Sequence, residues 1–352
     1  MNEPHRWERV CLLIGLFAGA LLLLALLLSP SQFFRAYLFG FWTWWSLLPG
    51  ALAILMLHDL TGGAWGDEIR DLLRPMARVL PWLALLFLPI ALGLGHIYEW
   101  TASDIEVEAK RQYLSTPFFL ARASTYLAIV AVLAFRATSR GRDRKTLSSA
   151  LGLLLYVLVV TFASIDWLMS LEPEWISTGF GLRVVMTQSL GALALVLLLR
   201  PLARSTPSTA PASAVLVDLG NLLLAFVLLW AYLAFTEFLI IWSGNLPEEI
   251  GWYRERFQNG FEWLAVSLVL FHFGAPFLLL LMRELKKRAR AVAFVASGLL
   301  VFHVLDSYWL VAPAFRTTPM PHWSHFAALL GVGAFLFAAF FREIRKERLA
   351  NA

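Results

Sequence analysis

The sequence holds one cysteine, Cys11, in 352 residues. A single thiol inside an apolar run builds no disulfide framework, CxxC metal pair or CxxCH haem-attachment site. It also argues against an iron–sulfur cluster ligated by this chain alone. Charge is scarce as well: 15% of the residues are Asp, Glu, Lys or Arg, where a soluble domain carries about 25%. With 59% hydrophobic residues, 15 Trp and 27 Phe, that excludes a disordered chain and an ordinary soluble enzyme. The formal net charge of +5 does not indicate nucleic acid. The basic residues form no stripe or tail; they sit in short clusters between apolar runs, as topogenic charge does.

What is present is apolar and periodic at membrane length. Ten runs are long enough to cross a bilayer core, which takes about 20 residues each: roughly 10–28, 34–57, 79–97, 117–136, 147–168, 179–199, 215–242, 261–282, 291–311 and 323–342. Together they leave room only for loops, so the chain reads as a single all-α integral membrane domain over 1–352. The first run extends from Val10 to Leu28. That exceeds the ~7–15 apolar residues of a signal peptide, and no small-x-small site follows it, so it reads as a retained helix.

Basic residues set orientation. The side holding the N-terminus takes Arg6 and Arg9, then Arg70, Arg74 and Arg78, then Arg136, Arg140, Arg142, Arg144 and Lys145. It also takes Arg200, Arg204, the cluster from Arg283 to Arg290, and Arg342, Arg345, Lys346 and Arg348. The opposite side keeps only Arg35, Lys110, Arg111, Arg254, Arg256 and Arg316, and most loop acids: Glu99, Asp104, Glu106, Glu108, Glu172, Glu174, Glu248, Glu249 and Glu255. This asymmetry predicts that both termini are cytoplasmic. The Pro/Ser/Thr/Ala-rich stretch 200–214 reads as a flexible connection near mid-chain.

An internal spacing stands out. Phe162, Asp166 and Pro173 recur as Phe302, Asp306 and Pro313, each pair 140 residues apart. The two segments close runs five and nine, so a duplicated four-helix unit would make runs 2–5 (about 34–168) and 6–9 (about 179–311) similar bundles. Runs 1 and 10 would then be peripheral.

Ionisable residues in a membrane are costly and need partners or a task. Here they gather toward the acidic side: His96, Arg122, Asp166, Arg183, Glu237, His303 and Asp306, with Glu262, His322 and His325 at the boundary and His272 near mid-membrane beside Pro276. The arginines are expected to pair with Asp166 and Glu237. His303 and Asp306, at i and i+3, share a helix face and suit either a hydrogen bond that pins run nine or a pair that holds and passes a proton. His272 and His303, without a confirming pattern, are weak evidence for haem ligation. His96, Asp166, Glu237, His303 and Asp306 are expected to line a polar cavity that takes up quinone or relays protons. Asp218, at the start of run seven, is a candidate proton entry from the cytoplasm, with Tyr156, Thr161, Gln188, Tyr232 and Thr236 to fill the gap.

The strings themselves resemble one family. Asp218-Leu-Gly-Asn-Leu-Leu-Leu-Ala-Phe, continuing through LWAYLAFTEFLIIWSGNLPEEIGWY, is similar to the signature of the ActF-type membrane subunit of alternative complex III, the second quinone-binding subunit of a quinol:cytochrome c oxidoreductase. FASIDWLMSLEPEW, FHFGAPFLLLL and VLDSYWLVAPAF extend the likeness over roughly residues 80–340. The resemblance implies an NrfD-like fold of two four-helix bundles with two peripheral helices and no redox centre of its own. It also implies menaquinone as the quinone, and a complex with a sister NrfD-like subunit, an iron–sulfur subunit and c-type cytochromes carrying haem c. Two positions depart from the family string: Glu237 stands where Gln is usual, and Asn221 where Lys is usual.

Overall fold

The computed structural model describes residues 3–102, 112–139, 146–202 and 212–350. All regular structure within them is helical. Nine helices are long and apolar enough to cross a membrane, ten when the bent pair Ala64–Arg78 and Trp82–Leu92 counts as one span. The protein is an all-α polytopic membrane protein. Asp104, Glu106, Glu108, Lys110, Arg111, Arg140, Arg142, Arg144, Lys145 and Arg204 lie outside the described residues, as does most of the 200–214 connection.

Run one is α1 (Glu3–Leu28), an outlying helix with 17% of its apolar window buried. Run two is broken into α2 (Pro30–Trp45) and α3 (Gly50–Thr61). The break has a local cause. Pro49 has no N–H to give the Trp45 carbonyl four residues earlier, and its ring crowds that carbonyl. Gln188 Nε2 supplies the missing donor from a distant helix at 2.9 Å.

An amphipathic helix, α4 (Ala64–Arg78), follows. Its Ile69, Leu72, Leu73 and Met76 recur at helical spacing and are buried. Apolar-run counting passes over it because its other face is charged. Run three is then split into α5 (Trp82–Leu86), α6 (Leu88–Leu92) and α7 (Leu94–Ile97). The remaining spans are α8 (Thr116–Thr138), α9 (Thr146–Trp167), α10 (Phe180–Leu199) and α11 (Ala212–Gly244). A short helix, α12 (Pro247–Arg256), precedes run eight, which is made of α13 (Phe261–Ser267), a π-helical segment (Leu268–Gly274) and α14 (Ala275–Leu281). The one-turn α15 (Arg283–Lys286) leads to α16 (Ala289–Val311), and α17 (Trp323–Ala350) ends the fold.

Helices α3, α4, α8 and α9 pack on one another, as do α10, α11, run eight and α16. α10 joins the two groups through α3 and α9. The seam is close enough to demand glycine: a Cβ on Gly50 would lie 1.9 Å from the Gln188 carbonyl oxygen. α17 is less peripheral than its place in the chain implies. A Cβ on Gly40 of α2 would meet the Ala328 backbone at 2.6 Å, and Trp44 Nε1 donates to the Leu329 carbonyl at 2.8 Å.

Ion pairs show which loops share an end. Arg345 reaches Glu8 at 3.2 Å, Arg78 reaches Glu347 at 2.6 Å and Arg200 reaches Glu68 at 2.6 Å. Both termini therefore lie at one end, here the terminal end, with the loops after α4 and α10. The opposite, far end holds α7, α12 and the loops after α9 and α16.

Candidate functional site

Two buried clusters of charge sit toward the far end, and their difference is informative. In the first, Arg122 of α8 grips Asp166 of α9 through both oxygens. Nε lies 2.7 Å from Oδ2 and Nη2 lies 3.0 Å from Oδ1. Tyr126 adds a hydroxyl donor at 2.9 Å, and Arg122 Nη1 donates to the Tyr113 carbonyl at 2.8 Å. The guanidinium also lies against the Tyr113 ring, 3.8 Å from its centroid. One cation meets one anion, and each guanidinium nitrogen donates to an oxygen. This is a neutral, saturated pair of the kind that holds helices together in a medium without water.

The second cluster is unbalanced. Arg183 of α10 donates through Nη1 to Glu237 of α11 at 3.2 Å and through Nη2 to Asp306 of α16 at 2.9 Å. Ser177 donates to the other Glu237 oxygen at 2.6 Å. All three ionisable residues are buried, Asp306 completely. Two carboxyls thus share one guanidinium. The pairing of Arg122 with Asp166 and of Arg183 with Glu237 follows the charges in the sequence, whereas the second acid on Arg183 does not. It comes from α16, 123 positions along the chain.

Asp166 and Asp306, 140 residues apart, have like settings. Each is buried near the end of its helix and followed by a 3-10 turn, Met169–Leu171 and Ala312–Ala314. Their arginines differ in origin, α8 for one and α10 for the other.

His303 departs from expectation. It does not hydrogen-bond Asp306, although the two share a face. Its Nε2 lies 3.1 Å from the Thr43 carbonyl and 3.1 Å from Ser46 Oγ, and Ser46 in turn lies 3.3 Å from Ser307 Oγ. The cause is the break in run two. With α2 ending at Trp45, the Thr43 carbonyl lacks a helical donor and draws the imidazole. Asp306 Oδ1 is already held by Arg183. Tyr156 donates to Gln188, whose amide serves the Trp45 carbonyl. The polar side chains of α10 and α16 thus converge on one kink.

His272 is the residue with most left undone. Pro276 withholds the N–H that the His272 carbonyl would accept in an α-helix, and the chain widens there into π-helix, a geometry often found at functional sites. The ring is buried edge-on against Trp230, centroids 4.4 Å apart. Among the described residues, neither ring nitrogen has a hydrogen-bond partner, nor do Trp230 Nε1, Arg183 Nε and Asp306 Oδ2. Arg183 lies 5.9 Å from the Trp230 ring centroid, so these atoms belong to one neighbourhood. Each unmet buried group costs about 1–3 kcal/mol. The unmet groups are concentrated in this one neighbourhood, between run eight, α10, α11 and α16.

The far-end helix α12 covers this neighbourhood. Trp252 stacks on Trp175 at 4.2 Å, Tyr253 packs on Phe238 at 5.3 Å, and Arg256 is clamped to Glu172 at 2.8 Å and to the Leu310 carbonyl at 2.9 Å. Burial pushes the Tyr253 hydroxyl up, with the Glu237 charge adding to it. Burial likewise raises Glu172 despite Arg256, and lowers Arg256.

The remaining expected residues lie elsewhere. His96 is exposed, 3.0 Å from Ser31 Oγ and stacked on Phe34. Asp218 is exposed near the start of α11, and Tyr232 faces outward. The five residues expected to line one cavity are therefore divided: His96 at the surface, Asp166 in its own pair, and Glu237 and Asp306 together with His303 nearby. Helix depth is readable from a sequence, but the direction a side chain faces around the helix is set by neighbours the sequence does not order. Among the described residues, no group of three or more His, Cys, Asp or Glu is placed to hold a metal ion.

No family model matches the chain, and no curated protein does. The likeness to the ActF-type subunits rests on the quoted strings themselves.

Proposed function

We propose that the chain is an integral membrane subunit of a quinol:cytochrome c oxidoreductase of the alternative complex III type. In this reading the Arg183 cluster holds and releases one proton. The observation that carries the proposal is the ratio of two carboxyls to one guanidinium in a site closed to water. Ionising both acids would leave a net negative charge in a low-dielectric interior, a cost that proteins avoid by protonation. A proton shared between the two carboxyls relieves that charge, and its arrival and departure are the step proposed for this cluster. The Arg122–Asp166 pair, by contrast, sets one cation against one anion.

The proton step and quinone contact fit one neighbourhood. A quinone headgroup needs donors for its carbonyls and an apolar slot. His272 and Trp230 keep donors or acceptors free, and the exposed Leu270 and Phe271 adjoin them. Electrons would come from menaquinol and pass to iron–sulfur and haem c groups in partner subunits, beside a sister NrfD-like subunit. The excess of basic residues at the terminal end supports a bacterial cytoplasmic membrane with both termini in the cytoplasm.

The test is purification of the tagged chain in gentle detergent, followed by turnover of whatever complex it brings. Co-purified haem and iron–sulfur chains, with turnover per complex reduced in Asp306→Asn and Glu237→Gln, support the proposal. Reduced abundance with unchanged turnover would make the subunit purely structural. A solitary, colourless chain would point to a proton-coupled transporter. Against that last reading, the break between α2 and α3 has no counterpart in α10, 140 residues on, whereas repeat-built transporters break matching helices.

A further inference from the structure

At the terminal end several basic side chains are answered by acids: Arg70 by Asp59, Arg78 by Glu347, Arg200 by Glu68 and Arg345 by Glu8. The turn between runs eight and nine is different. Residues 283–290 carry Arg283, Lys286, Lys287, Arg288 and Arg290 against one acid, Glu284, which is taken by Lys287 at 2.5 Å. The other four have no ion-pair partner among the described residues. Arg288 and Arg290 stand at the start of the 23-residue α16, which has no acidic residue in its first turn. The helix's own partial positive charge adds to theirs there instead of offsetting it. Lys286 is buried beneath the turn. Its stem fills the space left by Gly220, where a Cβ would lie 2.7 Å from Lys286 Cγ, and its Nζ has only the neutral Asn221 Oδ1 at 2.5 Å.

Directly alongside is an outward apolar wall. Leu278, Leu281 and Met282 on one side of the turn and Phe294 on the other are 63%, 54%, 49% and 73% exposed. In a multi-pass membrane protein that wall faces acyl chains. We propose that this turn is a binding site for an anionic phospholipid of the phosphatidylglycerol type. Its phosphate is held by Arg283, Arg288 and Arg290, with its acyl chains against Leu278, Leu281 and Phe294. Charge complementarity selects the anion, and continuity of the cations with the lipid-facing wall selects a lipid over a soluble acidic protein. A basic cluster at the membrane surface attracts anionic headgroups by electrostatics alone. Here five basic side chains fall within eight residues against one acid, Glu284. The inference is independent of any role in quinol oxidation.

The experiment uses the full chain, purified, delipidated in neutral detergent and checked for monodispersity. Its thermal unfolding is followed with added phosphatidylglycerol, phosphatidylcholine or inorganic phosphate, and retained lipid is counted by native mass spectrometry. Two triple variants carry the same charge change: R283Q/R288Q/R290Q at the turn, and R6Q/R9Q/R342Q at exposed positions elsewhere on that end. Phosphatidylglycerol should raise the melting temperature of the wild type and the control triple, and phosphatidylcholine should not. The turn triple should bind phosphatidylglycerol about tenfold more weakly. Equal loss in both triples would mean a diffuse field and not a site, and would overturn the proposal. So would an equal response to phosphatidylcholine. A response reproduced by inorganic phosphate would overturn the lipid as occupant.

Discussion

The two-to-one cluster makes an uncommon demand on mutagenesis: each acid alone should be expendable for folding, and the two together should not. Glu237→Gln leaves Arg183 paired with Asp306 at 2.9 Å, and Asp306→Asn leaves it paired with Glu237 at 3.2 Å. Either change leaves one carboxylate on the guanidinium and puts an amide where the other carboxyl was. Each should cost no more than about 1 kcal/mol, the scale of one exchanged hydrogen bond. The double variant strands a buried guanidinium with no anion, a loss of about 3–5 kcal/mol. Arg183→Leu, which strands two acids, should cost as much. The coupling between Glu237 and Asp306 is therefore at least about 1–3 kcal/mol. Thermal unfolding of the four variants in one detergent, followed by tryptophan fluorescence, measures it directly. Additive effects would refute the reasoning. A Glu237→Gln variant as unstable as Arg183→Leu would also refute it, because the site would then need both carboxylates ionised and would hold no proton.

Four further outcomes are expected. Arg122→Ala uncovers the fully buried Asp166 and should cost about 3–5 kcal/mol; Arg122→Lys restores the charge but not the two-point grip and should recover only part of the melting temperature. Gly50→Ala places a Cβ 1.9 Å from the Gln188 carbonyl, so the seam must part, and monodisperse protein should be nearly lost. Gln188→Ala, which removes the donor of Trp45, should cost about 1–3 kcal/mol, while Gln188→Glu should do no better, since a carboxylate cannot donate. At the far end, burial raises Glu172 above its ordinary 4.5, so the folded state binds more protons than the unfolded one as pH climbs past that value. Stability from this group is thus present in acid and falls as pH rises through the folded value, a step that Glu172→Gln should remove from a melting-temperature profile.

Much of the architecture was open to reading from the chain alone, because apolar length is a strong signal in a membrane protein. Breaks and turns were less so. Pro49 sits visibly inside the second apolar run, yet its effect depends on Gln188 and His303 being present to accept the consequences. The amphipathic α4 is written at Ile69, Leu72, Leu73 and Met76 but disappears when only unbroken apolar runs are counted. In the site, residue types and depth were legible, and so was the need for Arg122 and Arg183 to find acids. Which acids they found was not. Asp306 reached Arg183 because α16 packs on α10, and His303 was drawn from Asp306 by a carbonyl freed elsewhere. The bareness of His272 depends on every neighbour failing to reach it, which no single position in a sequence records.

The kink at Pro49 also dictates an order of construction. The Trp45 carbonyl enters the membrane early in synthesis, and its donor, Gln188, lies 143 residues later. Ser46 can serve Thr43 in the interval, but the imidazole that completes that site is 260 residues away. At about 5–20 residues per second, a ribosome leaves span two unfinished for tens of seconds. Hydrocarbon offers that carbonyl nothing, so the first half of the protein must wait, with water or the insertion machinery as a stand-in, until the second half arrives to close it. A chain truncated before α10 is therefore expected to be a substrate for membrane quality control and not a stable half-protein.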